Sequence, residues 1–458
     1  MDAPEAIIDD LKSTLEELNN AVEEGNLFRI KSLLNSMQAP DISDFLETLD
    51  DEEQVATLFR LLKKELAIDV FEHLEFDEQE LLLSNLKRER VIEILEEMDP
   101  DDRTELFEEM PAKIVKKYLS HLSPAERSVA TKLLGYPDDS VGRLMTTDYV
   151  AFRPNLTVTE ALVKLREMAL DKETIYHCYI IDDTRTLIGY CSLKMILLAE
   201  PQQTLSDFMV ADVISLDARQ DQEAAARLHK HYDLLALPVV DSEGRLVGIV
   251  TFDDLVDVIE EEATEDVHKM AAIVPEEHPY FDTGFFTLAG KRILWLSVLL
   301  VAQTFSGIVL EVYEASISQV VALMFFIPLL MSTGGNAGTQ SSAIIIRGLA
   351  IGEIRVNQFF RVVFREINMG IVLGLGLCVL GFLRAYFYNA DFYLALTLGL
   401  AVTLTVIAAT LTGAALPLLF RAIGLDPALM SGPFITTVVD IVGLIIYFEI
   451  ARRLLGLP

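Results

Sequence analysis

Residues 436–448 read TTVVDIVGLIIYF, and whether this stretch crosses a bilayer decides how the whole chain is built. Asp440 stands in it among valines, isoleucines and a leucine. A carboxylate at the centre of a membrane helix costs about 2.5–3.5 kcal/mol on insertion scales. Either the segment stays out of the membrane, or the protein uses the charge.

Composition argues for the membrane. Residues 1–290 hold 62 acidic and 27 basic side chains, whereas residues 291–458 hold 8 and 10. All of the excess negative charge, in a chain of net charge −33, therefore lies ahead of Lys291, and the remainder is a series of apolar runs. A strongly acidic region repels nucleic acid and anionic lipid and attracts cations, so no polynucleotide partner is expected. Cys178, Cys191 and Cys378 have no metal-ligand or disulfide spacing. The opening MDAPEAIIDDLKS lacks a basic region followed by an apolar one, so no signal peptide is expected there.

Ahead of the apolar runs the chain has two kinds of pattern. Up to about residue 136, segments such as QVATLFRLLKKELAIDVFEHL place apolar residues three and four apart, as amphipathic helices require. Breaks at EFDEQ, DPDDR, MPAK and LSPAER put Asp, Ser or Pro where N-caps belong. Short, evenly spaced helices predict a superhelical stack. Next comes an internal repeat, over 137–203 and 204–259. Met145 aligns with Met209, Asp182 with Asp241, and Gly189 with Gly248. Each copy predicts a helix, two short β-runs around a polar turn, and another helix. In the second copy Gly248, Thr251 and Asp254 have the spacing of a nucleotide-binding turn, and equally of a helix capping box. The first copy has Met195 where that acid would stand. The segment 253–284 then opens as an acidic helix, FDDLVDVIEEEATEDVHKM, whose carboxylates share ridges three and four residues apart.

Residues 285–458 predict five membrane helices, near 291–312, 317–347, 362–388, 392–420 and 427–451, each long enough for a hydrocarbon core of roughly 30 Å. An odd number places the termini on opposite sides. With the N-terminus inside, seven basic residues face the cytosol (Lys291, Arg292, Arg347, Arg355, Arg361, Arg365, Arg421) and three face out, in line with the positive-inside rule. The pair Arg452–Arg453 at the outer end is the awkward feature. Polar residues cluster in two helices. The second has GGNAGTQSS, in which Asn336 and Gln340 share a face and the glycines suit close helix packing. The fifth has Gly432-Pro433, then Thr436, Asp440, Gly443 and Tyr447 along one face.

GGNAGTQ, EEEATEDVHKMA and LDPALMSGPFITTVVDIVGLIIYF, in this order and this layout, resemble the MgtE magnesium transporters across essentially the whole chain. The repeat resembles a tandem pair of CBS domains. The resemblance implies a multi-domain membrane protein: an all-α superhelical N-domain, tandem α/β CBS domains, an acidic connecting (plug) helix and a five-helix transmembrane domain. It implies a homodimer in the cell membrane with a pore on the two-fold axis. Asp440 would face the ion, with support from Thr436, Asn336, Gln340 and the backbone of Gly432, where some relatives carry asparagine. Regulatory Mg²⁺ would bind Asp254, Asp257, Glu262, Glu265 and Asp266 of the connecting helix, Glu223 and Asp233 of the second CBS copy, Asp69, Asp101 and Glu105 of the N-domain, and Asp426 at the inner mouth. ATP is a second candidate ligand, through Thr251 and Asp254.

The physics suits that reading. Mg²⁺ dehydrates reluctantly, so a filter holds its water shell with oxygen acceptors. Two opposed carboxylates favour a dication over Na⁺ or K⁺. The membrane potential supplies roughly 2.3 kcal/mol per charge per 100 mV, and entry needs no hydrolysis. The alternatives are a transporter of another divalent ion such as Co²⁺, and a membrane-anchored nucleotide sensor whose helices only dimerise. The sensor leaves Asp440 unexplained. An enzyme is not expected: all seven histidines precede the spans, and the chain shows no nucleophile–base constellation.

Overall fold

A computed structural model describes residues 3–49, 51–274, 284–389, 391–429 and 432–457. The chain forms two units, Met1–Ile259 and Glu260–Pro458.

In the first unit the helices between Leu27 and Leu133 are each 8 to 10 residues long. Helices this short are marginal alone, so their stability comes from burying one face against neighbours. Alternate helices supply it: Ala39–Glu47 packs on Lys64–Glu72, which packs on Arg88–Glu97, and Glu52–Phe59 packs on Phe76–Asn85. Ile42, Phe45, Phe59, Phe71, Leu82, Ile94 and Phe107 belong to one continuous core. That is the predicted superhelical stack. The caps differ from expectation in detail. Ser123 does cap, accepting the Glu126 N–H at 3.2 Å, and Pro100 and Pro124 open their helices. At EFDEQ, however, Glu75 holds the cap position without a side-chain bond, and Asp77 sits inside the first turn. An acid there still favours the helix, through the macrodipole.

Each repeat copy folds as a three-stranded sheet: β1 (Val150–Phe152), β2 (His177–Ile181) and β3 (Leu187–Ser192), then β4 (Leu216–Asp217), β5 (Ala236–Val240) and β6 (Leu246–Thr251). In both, the first pair is parallel and the second antiparallel. The aligned residues do the same work twice. Asp182 accepts the N–H groups of Thr184 and Thr186, both at 2.9 Å; Asp241 accepts those of Glu243 at 2.9 Å and Arg245 at 3.0 Å. Each methionine covers the sheet of the other copy. A Cβ on Gly248 would lie 2.6 Å from Met145 Sδ, and one on Gly189 would lie 2.9 Å from Met209 Sδ. Thr146 bridges to Ile249 and Tyr190 to Val210, so the copies interlock through these exchanged segments.

The acidic helix runs Phe252–Met270, from the first unit into the second. Residues 275–283 of the connecting segment lie outside the described residues. Among the described residues, five helices are long and apolar enough to cross a membrane: Phe285–Val312, Val321–Ala350, Val356–Tyr388, Phe392–Ala422 and Gly432–Leu455. We number them first to fifth. The glycines of the second seat it against the fourth and fifth. A Cβ on Gly334 would meet Thr405 at 2.8 Å and Val439 at 2.9 Å, and one on Gly413 would run into the Gly338 carbonyl. This is close packing through small residues, as expected of membrane helices. Cys378 joins the third helix to the fourth in the same way, beside Gly399.

Candidate metal centres

Asp440 lies about two turns into the fifth helix and is half-buried. Gln303 of the first helix hydrogen-bonds to its carboxylate. One turn earlier, the Thr436 hydroxyl donates to the Pro433 carbonyl at 2.8 Å, while its methyl group fills the space beside Gly335. Gly432 begins the helix close to Thr339. The polar face expected along this helix is interrupted. Gly443 packs on Thr405, and Tyr447 is fully buried, its hydroxyl donating to the Leu323 carbonyl at 3.1 Å. Asn336 and Gln340 are exposed on the second helix. Gly334, Gly335 and Gly338 take its packed face, and helical periodicity turns Asn336 and Gln340 away from it. At the other end Glu449 accepts from Tyr313 at 3.0 Å and from Arg452 at 3.1 Å, with Arg453 at 3.7 Å. The two C-terminal arginines are thus compensated.

On the connecting helix, Glu265 and Asp426 meet around Lys269, at 2.5 and 2.7 Å. Asp426 also accepts the Ala428 N–H at 2.8 Å. Burial alone would lower the Lys269 pKa, but its bonds to Asp426 and Glu265 override this and raise it. Glu262 and Asp266 flank Glu265 in the same helix. Glu223 and Asp233 are not brought together. They sit at opposite ends of the helix Gln222–Tyr232, about 15 Å apart along its axis. Glu223 pairs with Arg227 at 2.7 Å, and Asp233 is a left-handed C-cap.

Among the described residues, three carboxylates of the first unit converge. Glu72 ends the helix Lys64–Glu72 and accepts the Asp99 N–H at 2.9 Å; Asp99 precedes the helix Pro100–Glu109, and Asp102 lies in its first turn. One carboxylate oxygen from each of Glu72, Asp99 and Asp102 lies within 4.8 Å of the others. Asp101 has one oxygen buried with no hydrogen-bond partner. Burial, then the charges of Asp254 and Asp102, hold the Asp101 carboxyl well above the usual range. Burial, then Glu72, Asp99 and Asp254, push Asp102 up to about 9. Burial, then Asp99 and Asp69, push Glu72 up to about 8 against the Asp99 amide bond. Asp254 rises to about 6 through burial, and then the charges of Asp253 and Asp257, against its bonds from Thr251. Oxygen-only donors, an unpartnered buried oxygen and charge that burial penalises together suit a hard dication. Of the N-domain residues expected from the sequence, Asp101 adjoins this cluster, the charge of Asp69 acts on Glu72, and that of Glu105 acts on Asp102.

Those shifts have a consequence for stability. The folded first unit keeps protons on Glu72 and Asp102 that an unfolded chain loses near its ordinary carboxylate values. Stability conferred by these groups is therefore present at low pH and falls as pH rises toward their folded values. Thermal melts of the whole protein at about pH 6 and about pH 9 should show Mg²⁺ stabilising more at the higher pH, where it replaces the missing protons. Asp102→Asn should raise the melting temperature without Mg²⁺ and shrink the Mg²⁺ effect. Equal Mg²⁺ stabilisation at both pH values would count against a cation site here.

A carboxylate set in a membrane helix, an acidic helix whose Lys269 pairs with Asp426, and an acidic cluster in the N-terminal helical stack point to a membrane protein that handles cations. Residues 327–450 match the MgtE family of divalent cation transporters, residues 29–139 the MgtE intracellular N domain, and residues 141–201 and 205–261 the CBS domain. The chain is 38% identical over 441 residues to the magnesium transporter MgtE of Thermus thermophilus, covering 96% of this chain and 98% of that protein. It is 40% identical over 326 residues to the magnesium transporter MgtE of Bacillus subtilis, 71% and 72% of the respective chains. The crystal structure of the cytosolic domain of the Mg²⁺ channel MgtE in complex with ATP is similar at a TM-score of 0.51 and 37% identity, over 53% of this chain and 99% of that one. The chain belongs to the MgtE family.

Sequence reasoning missed three kinds of contributor. Asp99 and Asp102 lie at a helix start, where an acid reads as a cap, and Glu72 closes a different helix thirty residues before Asp102. Gln303 stands in LLVAQTFSG, and carries the same signal as Asp440: a polar side chain in an apolar run. Glu366 of the third helix accepts from Ser341 at 2.7 Å, and Thr410 donates to the Glu366 carbonyl at 3.1 Å, so it ties the second, third and fourth helices together.

Proposed function

We propose that this chain is a Mg²⁺-selective, channel-like uptake transporter of the cell membrane. It works as a homodimer, with the N-terminal domains in the cytosol and the C-terminus outside. The observation that carries the reading is Asp440, a half-buried carboxylate in the fifth apolar helix. In a dimer, the exposed Asn336 and Gln340 of the second helix would face a second copy or the water path instead of lipid, where an amide is disfavoured. Internal Mg²⁺ closes the pore by bridging the acidic patches; at low Mg²⁺ their carboxylates repel and the connecting helices release it. Bound ion has to favour the closed state, and several weak sites acting together give a steep response.

Purified protein in liposomes, offered one ion at a time, should pass Mg²⁺ and exclude Na⁺ and K⁺. Equal passage of Co²⁺, or dependence on a proton gradient, would replace this reading with a broader carrier. ATP is a second ligand supported by the complex of the related cytosolic domain. Here it would have to share Asp254, which accepts from the Thr251 amide at 3.2 Å and from its hydroxyl. Titration of ATP against the Asp254→Asn variant tests that point.

A further inference from the structure

The contact of Asp440 with Gln303 is held in register from a second point. Ten residues beyond Gln303, Tyr313 stacks on Phe448 with ring centroids 4.9 Å apart and planes 17° apart. Its hydroxyl donates to Glu449 at 3.0 Å. Ten helical residues advance about 15 Å and the eight from Asp440 to Phe448 about 12 Å, so both contacts fit two parallel helices running side by side. Parallel is also the direction that five successive spans give to the first and the last. Between the two contacts, Val309 and Leu310 pack on the cluster that includes Leu444 and Tyr447. Ser306, one turn from Gln303, is 4% exposed, and its hydroxyl has no partner among the described residues.

Only 6% of the first helix's most apolar window is buried in the single chain. A glutamine there is disfavoured in hydrocarbon unless its amide is engaged. The amide offers two donors and an acceptor, so it can hold a carboxylate and still present an oxygen. We propose that Gln303 is a positioning residue for the pore acid. Its amide holds one oxygen of Asp440, which aims the other at hydrated Mg²⁺, and its own carbonyl adds an acceptor for the ion's water shell. The first helix thereby takes part in selecting the ion as well as anchoring the bundle. This inference rests on Asp440 being the pore acid.

The test compares Gln303→Leu, Gln303→Met, Gln303→Asn and Asp440→Ala with the parent protein in liposomes, reading Mg²⁺ flux and the ratio of Na⁺ to Mg²⁺ flux. Loss of an outer partner of a metal ligand typically costs 10–100-fold, so Leu and Met should each cut Mg²⁺ flux by about 10-fold or more. Both should also raise the Na⁺ to Mg²⁺ ratio, and Asn should recover part of each. Parental flux and ratio in Leu or Met would overturn the proposal. So would a flux loss matched by a lower folded yield with the ratio unchanged, because that is a packing role. Should Asp440→Ala itself keep parental flux, the pore assignment fails first, and the two failures are told apart.

Discussion

Asp440→Ala is expected to reduce Mg²⁺ uptake to the level of cells that carry no transporter, measured as growth of a Mg²⁺-requiring bacterial strain. The carboxylate is costly where it stands, at about 2.5–3.5 kcal/mol for an acid at mid-membrane. Its helix does not need it for packing: Ile435, Val439, Leu444, Tyr447 and Phe448 supply the buried surface. Removing it should therefore leave the fold intact, or even favour it, while removing the field that attracts a dication. Asp440→Asn keeps the shape and loses the charge, so it should fail as well. Asp440→Glu keeps the charge on a longer arm and should retain partial uptake. Growth of the alanine variant at the parental rate would refute the pore assignment.

Neutralising Asp254 and Asp257 together is expected to leave transport running at high internal Mg²⁺, where the parent shuts. Asp254 opens the connecting helix, and its charge acts on Asp101 and Asp102 of the N-domain patch. Burial first, and then neighbouring carboxylates, disfavour the charged forms of Glu72 and Asp102 in this patch. On the proposed gate, a dication would neutralise that charge and so bias the closed state. With Asn at both positions the repulsion and its relief both shrink, so the response to Mg²⁺ should flatten while flux at low Mg²⁺ stays near the parental level. Inhibition unchanged by the double substitution would remove these residues from the gate.

Much of the fold is legible in the sequence because it repeats. The CBS pair shows in the alignment of Met145 with Met209 and Gly189 with Gly248, and the structure gives those pairs equivalent, exchanged contacts. The membrane helices are legible through uninterrupted apolarity, and their glycines through spacing. The hidden features depend on distance between elements. Glu72 and Asp102 are thirty residues apart in sequence and meet only because alternate helices stack. Gln303 and Asp440 belong to the first and last spans, and no local pattern links them. Glu223 and Asp233, both carried over on family grounds, occupy opposite ends of one helix in this chain.

The most direct test is Mg²⁺ current through membrane patches holding the protein while Mg²⁺ on the cytosolic face is raised. The parent should conduct at low internal Mg²⁺ and fall silent as it rises, and Asp440→Ala should be silent throughout. A current that ignores internal Mg²⁺, or one that survives the loss of Asp440, would contradict the account.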